Sequence, residues 1–141
     1  MPISYHQLVD RKDQTLVVKA LQKNLNLYES CGMGRLFDVV AALLNLVHKS
    51  HFDGEGPVKL ENIVSASEAS YSYGFKNNVF GYQPIIRGVV DDLIEKVPNG
   101  EISARFHNTV VQMIESGVSK IHLDSGIKKV VLSGGIFQNK Y

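Results

Sequence analysis

Two stretches of this sequence have residue types and spacing suited to chemistry. Towards its end the chain reads Lys129-Val130-Val131-Leu132-Ser133-Gly134-Gly135-Ile136-Phe137-Gln138-Asn139-Lys140, an apolar strand-like run that enters a glycine turn followed by a polar residue. Such a turn brings bare backbone N–H groups up to a phosphate or ribose, because glycine removes the Cβ that would block close approach and a following helix would point its positive end at the anion. A purely structural turn uses the same residues. Earlier, Asp38 stands inside Arg35-Leu36-Phe37-Asp38-Val39-Val40-Ala41-Ala42-Leu43-Leu44, and a carboxylate there is costly to bury without donors or a polar cleft. Arg35, three residues before it, offers a local ion pair. The functional alternative is that Asp38 accepts ribose hydroxyls, a task for which ionised carboxylates are strong acceptors.

Other candidates carry less. His48 and His51 have the spacing to share a metal, yet no third ligand follows in the glycine-rich loop, and a histidine near a helix C-terminus is favoured there by the dipole alone. His107, in a helical stretch beside Phe106 and Asn108, reads as a packing or hydrogen-bonding residue rather than a catalyst. Cys31 has no adjacent base or cationic cluster to make it a nucleophile. Asp91-Asp92, and Glu61 with Glu68, read as solvated helix faces. No Ser-His-Asp arrangement or Walker-type loop is present.

The elements that must position these residues follow from periodicity. Asp13 to Leu25 spaces Leu16, Val17, Ala20, Leu21 and Leu25 as an amphipathic helix. Gly34 to Val47 is apolar on almost every side and is expected to be a central helix surrounded by protein. His48 to Gly56 is a loop with Asp53-Gly54 and Glu55-Gly56 turns, which returns the chain to the neighbourhood of Asp38, and Pro57 opens a helix through about Ala69. Tyr71 to Tyr82 reads as a short hairpin turning at Lys76-Asn77-Asn78. Pro84 to about Lys96 and Glu101 to about Ile121 are helices separated by Pro98-Asn99-Gly100. Val130 to Leu132 is expected to be a strand of a sheet that continues past Tyr141.

Composition narrows the class. The 141 residues are 44% hydrophobic, enough for a globular core. Fifteen Lys and Arg against 14 Asp and Glu give +1, with no basic run interleaved with aromatics, so nucleic acid is not an expected partner. A single cysteine excludes an internal disulfide framework and fits a reducing compartment, the cytoplasm by default. Met1 to His6 lacks the pattern of a secretory leader, and the longest apolar stretch, within Val39 to Val47, falls short of the about 20 residues a spanning helix needs, so no membrane role is expected.

Four blocks in order, Gly32-Met33-Gly34-Arg35-Leu36-Phe37-Asp38-Val39-Val40-Ala41-Ala42-Leu43, Phe52-Asp53-Gly54-Glu55-Gly56, Ala104-Arg105-Phe106-His107-Asn108 and Leu132-Ser133-Gly134-Gly135-Ile136-Phe137-Gln138-Asn139, resemble the C-terminal domain of the HypF family of hydrogenase maturation carbamoyltransferases. The resemblance runs from about Leu16 to Tyr141, and extends more weakly to the enzymes that make threonylcarbamoyl adenosine in tRNA. It implies an α-rich α/β fold, part of the second lobe of a ribonuclease-H-like, actin/sugar-kinase-like architecture with the sheet incomplete at the C-terminus. Residues 1–141 would be a single partial domain, truncated at both ends. The implied activity is ATP-dependent: a carbamoyl group passes from carbamoyl adenylate to the C-terminal cysteine of the partner HypE, on the way to the cyanide ligand of nickel-iron hydrogenase. Asp38 and Glu55 would meet the ribose hydroxyls, Gly134 and Gly135 would approach the nucleotide backbone, and Asn139 would bond the sugar or base side. The tRNA-modifying relatives have glycine at Glu55, and Cys31 falls where the family commonly has serine. No catalytic residue and no metal ligand is assigned within the chain: the family's metal-binding histidine pair and phosphate loop would precede Met1, and another metal-binding aspartate would follow Tyr141. The segment alone is expected to be inactive and to dimerise through its exposed truncated surface. The competing readings are a self-sufficient interaction module that ignores nucleotides, and part of a small-molecule kinase or of the tRNA-modifying enzyme.

Overall fold

The computed structural model describes residues 10–25, 27–28 and 30–141, so the leader-free reading of Met1 to His6 lies outside the described residues. Five helices and one hairpin make up the described chain: α1 (Arg11–Lys23), α2 (Met33–Leu43), α3 (Glu55–Asn62), β1 (Gly74–Lys76), β2 (Val79–Gly81), α4 (Gln83–Ile94) and α5 (Asn99–Ser125), followed by a 3-10 turn at Gly135–Gln138. The fold is helix-rich, and the antiparallel β1–β2 pair is the only sheet among the described residues.

Local chemistry sets the ends of these elements. Asp10 caps α1, its Oδ1 accepting the Lys12 N–H at 3.0 Å, and Asn24 ends the helix in the left-handed conformation that asparagine tolerates. The hairpin turns at Asn77-Asn78, both at positive φ, which is what a two-residue turn matched to strand twist requires, and Phe75 stacks on its cross-strand partner Phe80 at 4.4 Å. α3 stops at Asn62, short of the expected Ala69, because the Ser65 N–H leaves the helix to donate to the Gly100 carbonyl at 3.1 Å. A Cβ on Gly100 would stand 2.6 Å from the Ile63 carbonyl, so the loop lies directly against the start of α5.

The core sits where α2, α3, α4 and α5 meet. Phe37 and Phe106 pack edge to face at 4.8 Å, with Val40, Leu60, Ile85, Val89 and Ile102 fully buried around them. Asn99 Nδ2 donates to the Leu44 carbonyl at 3.1 Å, tying the first turn of α5 to the end of α2, and Ser103 Oγ donates to the Leu60 carbonyl at 2.8 Å, tying α5 to α3.

Two expectations need correction. α2 is not enclosed: it buries Phe37, Val40 and Ala41 while Asp38 and Val39 stay exposed, because α3, α4, α5 and the 3-10 turn meet one side of the helix and leave these two positions open. Val130 to Leu132 form no strand, and Val131 is 88% exposed, since the β1–β2 hairpin does not pair with them and an unpaired strand leaves its backbone groups unsatisfied.

Candidate functional site

The loop from His48 to Gly54 ends at Gly54, whose φ of 85° suits glycine, and launches α3 at Glu55. The Glu55 side chain turns inward. Its Oε2 accepts the His51 backbone N–H at 2.7 Å and approaches His51 Nδ1 at 3.2 Å, while Oε1 meets Lys59 Nζ at 2.9 Å. These donors, the His51 amide first and Lys59 next, outweigh burial and hold the Glu55 carboxyl down at about 2. Both Glu55 oxygens therefore take part in closing the loop, and His51 is engaged with Glu55 rather than with His48.

The loop does bring the chain back to Asp38. A Cβ on Gly56 would lie 2.8 Å from Asp38 Oδ1 and 3.3 Å from Asp38 Cα, so a side chain at Gly56 would displace the Asp38 carboxylate and crowd α2, and glycine leaves both in place. Asp38 remains exposed, with Arg35 at 3.8 Å as a loose, solvent-screened partner. The carboxylate thus stands beside the positive end of α3 and keeps acceptor capacity for an incoming donor.

The glycine turn packs back onto this region. The 3-10 segment contacts α2, and Ile136 packs against the core. Gly134 has a φ of 101°, a backbone state that explains its glycine locally. Gly135 has no such conformation, and a Cβ there would meet nothing within 4 Å, so nothing inside the described chain demands glycine at Gly135.

Asn139 is anchored to α5. Its Nδ2 lies 2.9 Å from His107 Nε2 and its Oδ1 accepts the Tyr141 N–H at 2.9 Å. His107 is buried, with Nδ1 at 2.8 Å from the Ser103 carbonyl; burial first pushes its pKa below the ordinary value, against the opposing pull of the Ser103 bond. The Lys140 N–H donates to Glu61 Oε1 at 3.1 Å, and the Tyr141 hydroxyl donates to Asn108 Oδ1 at 2.8 Å. Asn108 in turn donates to the Ser67 and Ala69 carbonyls, so the last residues, the 67–69 loop and α5 share one polar network.

Sequence reasoning missed a second cluster. Asp92, read as solvated, is buried: Arg105 Nη1 reaches both its oxygens at 2.9 and 3.0 Å, and the Tyr71 hydroxyl donates to Oδ2 at 2.6 Å. Arg105 Nη2 also meets Glu101 Oε1 at 2.6 Å, which heads the causes raising the guanidinium's pKa, and burial before all else pushes the Tyr71 phenol far up. A Cβ on Gly88 would stand 2.5 Å from the Tyr71 ring, so the tyrosine lies flat on α4. The available signal was Asp92's place on the same helical stripe as Ile85 and Val89. Cys31 is exposed. Among the described residues no group of three or more His, Cys, Asp or Glu side chains converges as a metal site would.

Fold and turn together define the second subdomain of a Kae1-like carbamoyltransferase domain: the family model described as "Carbamoyltransferase, Kae1-like Domain, second subdomain" matches residues 3–141, and the chain belongs to that family. Its relatives include Carbamoyltransferase HypF of Synechocystis sp., 31% identical over 115 residues that cover 77% of this chain and 14% of that protein. The Probable carbamoyltransferase HypF of Methanocaldococcus jannaschii is 24% identical over 140 residues, covering 98% of this chain and 18% of the relative. A crystal structure of full-length HypF in the phosphate- and nucleotide-bound form superposes with a TM-score of 0.90 at 33% identity, covering 98% of this chain and 22% of that one. The chain therefore spans less than a quarter of the length of each of these proteins.

Proposed function

We propose that this chain supplies the nucleotide-side part of an ATP-dependent carbamoyltransferase. In this reading the whole protein passes a carbamoyl group from carbamoyl adenylate to the C-terminal cysteine of HypE, in the cytoplasm, and residues 1–141 form one partial domain without activity by themselves. The observation that carries the reading is the 0.90 TM-score, at 33% identity, to a HypF solved with phosphate and nucleotide bound. Site geometry supports it. Asp38 is an exposed carboxylate backed by the bare turn at Gly56, suited to ribose hydroxyls. Gly134 and Gly135 leave backbone open for a phosphate or sugar to approach. Asn139 offers a held amide to the sugar or base side. Glu55 fixes the loop that sets Gly56 against Asp38, and Oε1, which meets Lys59 alone, keeps an acceptor position for a ribose hydroxyl in this reading. ATP supplies the adenylate leaving group when bound; these residues bind and orient it, and charge stabilisation of the transferring group falls to residues outside them. A metal ion used by the whole protein is, in this reading, held by residues outside this chain.

Gly135→Ala is the sharpest test, because the added methyl meets nothing within 4 Å inside the chain. In the full-length protein it is expected to weaken binding of a nonhydrolysable ATP analogue about tenfold while leaving the melting temperature in place. Unchanged affinity in both Gly135→Ala and Asp38→Ala would overturn the reading.

Exposed Val131 and Leu132 add a second element to the proposal: taken alone, the chain pairs with another copy through the segment that carries these apolar side chains. Light scattering decides it, and a mass that stays monomeric at every concentration would remove the dimer. No helix among the described residues is long and apolar enough to cross a membrane.

A further inference from the structure

We infer that His107 is a positioning residue that fixes which way the Asn139 amide faces the nucleotide; the inference rests on the nucleotide-side reading above. An asparagine amide can be turned over about its last torsion at little cost, exchanging its donor and acceptor ends, so a ligand that reads the amide needs something to hold it. Here the holding group is defined from both sides. The Ser103 carbonyl can only accept, so His107 Nδ1 at 2.8 Å carries the proton, and in the neutral ring Nε2 is then an acceptor. That acceptor faces Asn139 Nδ2 at 2.9 Å and requires a donor. The Tyr141 N–H independently requires an acceptor, and Asn139 Oδ1 at 2.9 Å supplies it. Turned over, the amide would set oxygen against a ring lone pair and NH2 against N–H, losing both bonds.

The ring cannot adjust to suit either orientation. His107 is 4% exposed, edge-on to Phe37 at 5.4 Å, with the Tyr141 ring at 5.0 Å on another side. Ser103 Oγ gives its proton to the Leu60 carbonyl and stands 3.4 Å from Nδ1, reinforcing the same tautomer. With these bonds made, Asn139 keeps one N–H and one oxygen lone pair in a known order, a paired donor and acceptor for a sugar hydroxyl or a base edge. His107 itself has no free nitrogen and no open face for substrate, so it acts through Asn139 and is not a catalytic residue.

The test uses the full-length protein and a nonhydrolysable ATP analogue. Asn139→Ala and His107→Leu are each expected to weaken binding about tenfold, the double variant no more than Asn139→Ala alone, and His107→Gln, whose amide oxygen can stand near the Nε2 position, to recover most of the loss. Wild-type affinity in His107→Leu, additive losses in the double variant, or no recovery in His107→Gln would overturn the positioning role while leaving Asn139 as a contact. Wild-type affinity in Asn139→Ala would instead remove Asn139 from the nucleotide site, and the inference with it. Nitrogen-15 NMR of the unsubstituted protein checks the premise without any variant: His107 should show a protonated Nδ1 and a bare Nε2, and a protonated Nε2 at neutral pH would overturn it.

Discussion

At the scale of single residues, His107 and Glu55 make stability fall on acidification in two separate steps. His107 is held neutral: its folded pKa lies below the ordinary 6.5, so as pH drops through 6.5 the unfolded chain takes up a proton that the folded one refuses, and stability declines until the lower folded value is passed. Glu61 on α3 and Tyr141 in the last segment are the titratable groups that face the ring, and the negative charge of Glu61 opposes the shift without cancelling it. Glu55 is held ionised, and its contribution is complete above about 4.5 and lost as pH falls towards about 2. Urea midpoints measured from pH 7.5 to 3.5 should therefore fall first below 6.5 and again below 4.5. In His107→Gln the upper step should vanish and the lower one persist; an upper step that survives the substitution would assign it to another group. The sequence marked both residues, but in different ways. His107 was legible as a hydrogen-bonding residue because a lone helical histidine has few other uses. Glu55 was legible only as a position: its neighbours His51 and Lys59 are four residues away on either side, and which of them it prefers over solvent depends on the path of the loop between.

At the scale of elements, α4 and α5 are joined by a charged cluster rather than by apolar packing alone. Arg105 bridges Asp92 and Glu101, and Tyr71 carries the network into the segment before the hairpin, where the Tyr71 N–H is in turn held by Thr109 Oγ1 at 2.8 Å. Asp92→Ala removes the acceptor of the Tyr71 hydroxyl and leaves the part-buried Arg105 with Glu101 alone, and is expected to cost about 2 kcal/mol in chemical denaturation, whereas Tyr71→Phe, which deletes one hydroxyl and keeps the ring, should cost about 1 kcal/mol. Equal losses in the two would assign the cost to the Tyr71–Asp92 hydrogen bond, which both variants remove, rather than to the Arg105 pair. The starts of α4 and α5 and the hairpin were readable from pattern because Pro84, Pro98 and Asn77-Asn78 act on their own backbone, whereas the ends of α2 and α3 were not. The charged cluster was not, since it depends on how α4 rotates against α5, which no local rule fixes. The same limit explains the misplaced strand: Val130-Val131-Leu132 has the composition of a strand, but a ladder needs a partner that composition does not reveal.

At the scale of the whole molecule, α5 is the helix on which the core is assembled, and it is used unevenly. Every buried residue of this 27-residue helix lies between Ile102 and Met113, where α2, α3, α4, the 67–71 segment and the last residues converge; from Ile114 to Ser125 none is buried, and Leu123 is 83% exposed. The convergence brings three of the four sequence blocks together, since Phe37 packs edge-on to Phe106 and His107 and Asn139 bonds to His107, while the remaining block meets α2 through Gly56 and Asp38. Helical periodicity alone treated Glu101 to Ile121 as one amphipathic element, and nothing in the repeat distinguishes the end that carries the core. The helix nevertheless has a seam. Ile114 still packs on the core, Ser116 meets the Tyr73 hydroxyl at 2.7 Å and Gly117 lies against Phe80, but with about 1.5 Å of rise per residue some 12 Å of α5 beyond Gly117 is held chiefly by its own backbone bonds, and such bonds open without unfolding the rest. In deuterium, the amides from Phe106 to Met113 should exchange only with global unfolding, while those beyond Gly117 exchange orders of magnitude faster. One continuous helix would thus keep two clocks, and the slow one times the part that holds the candidate site.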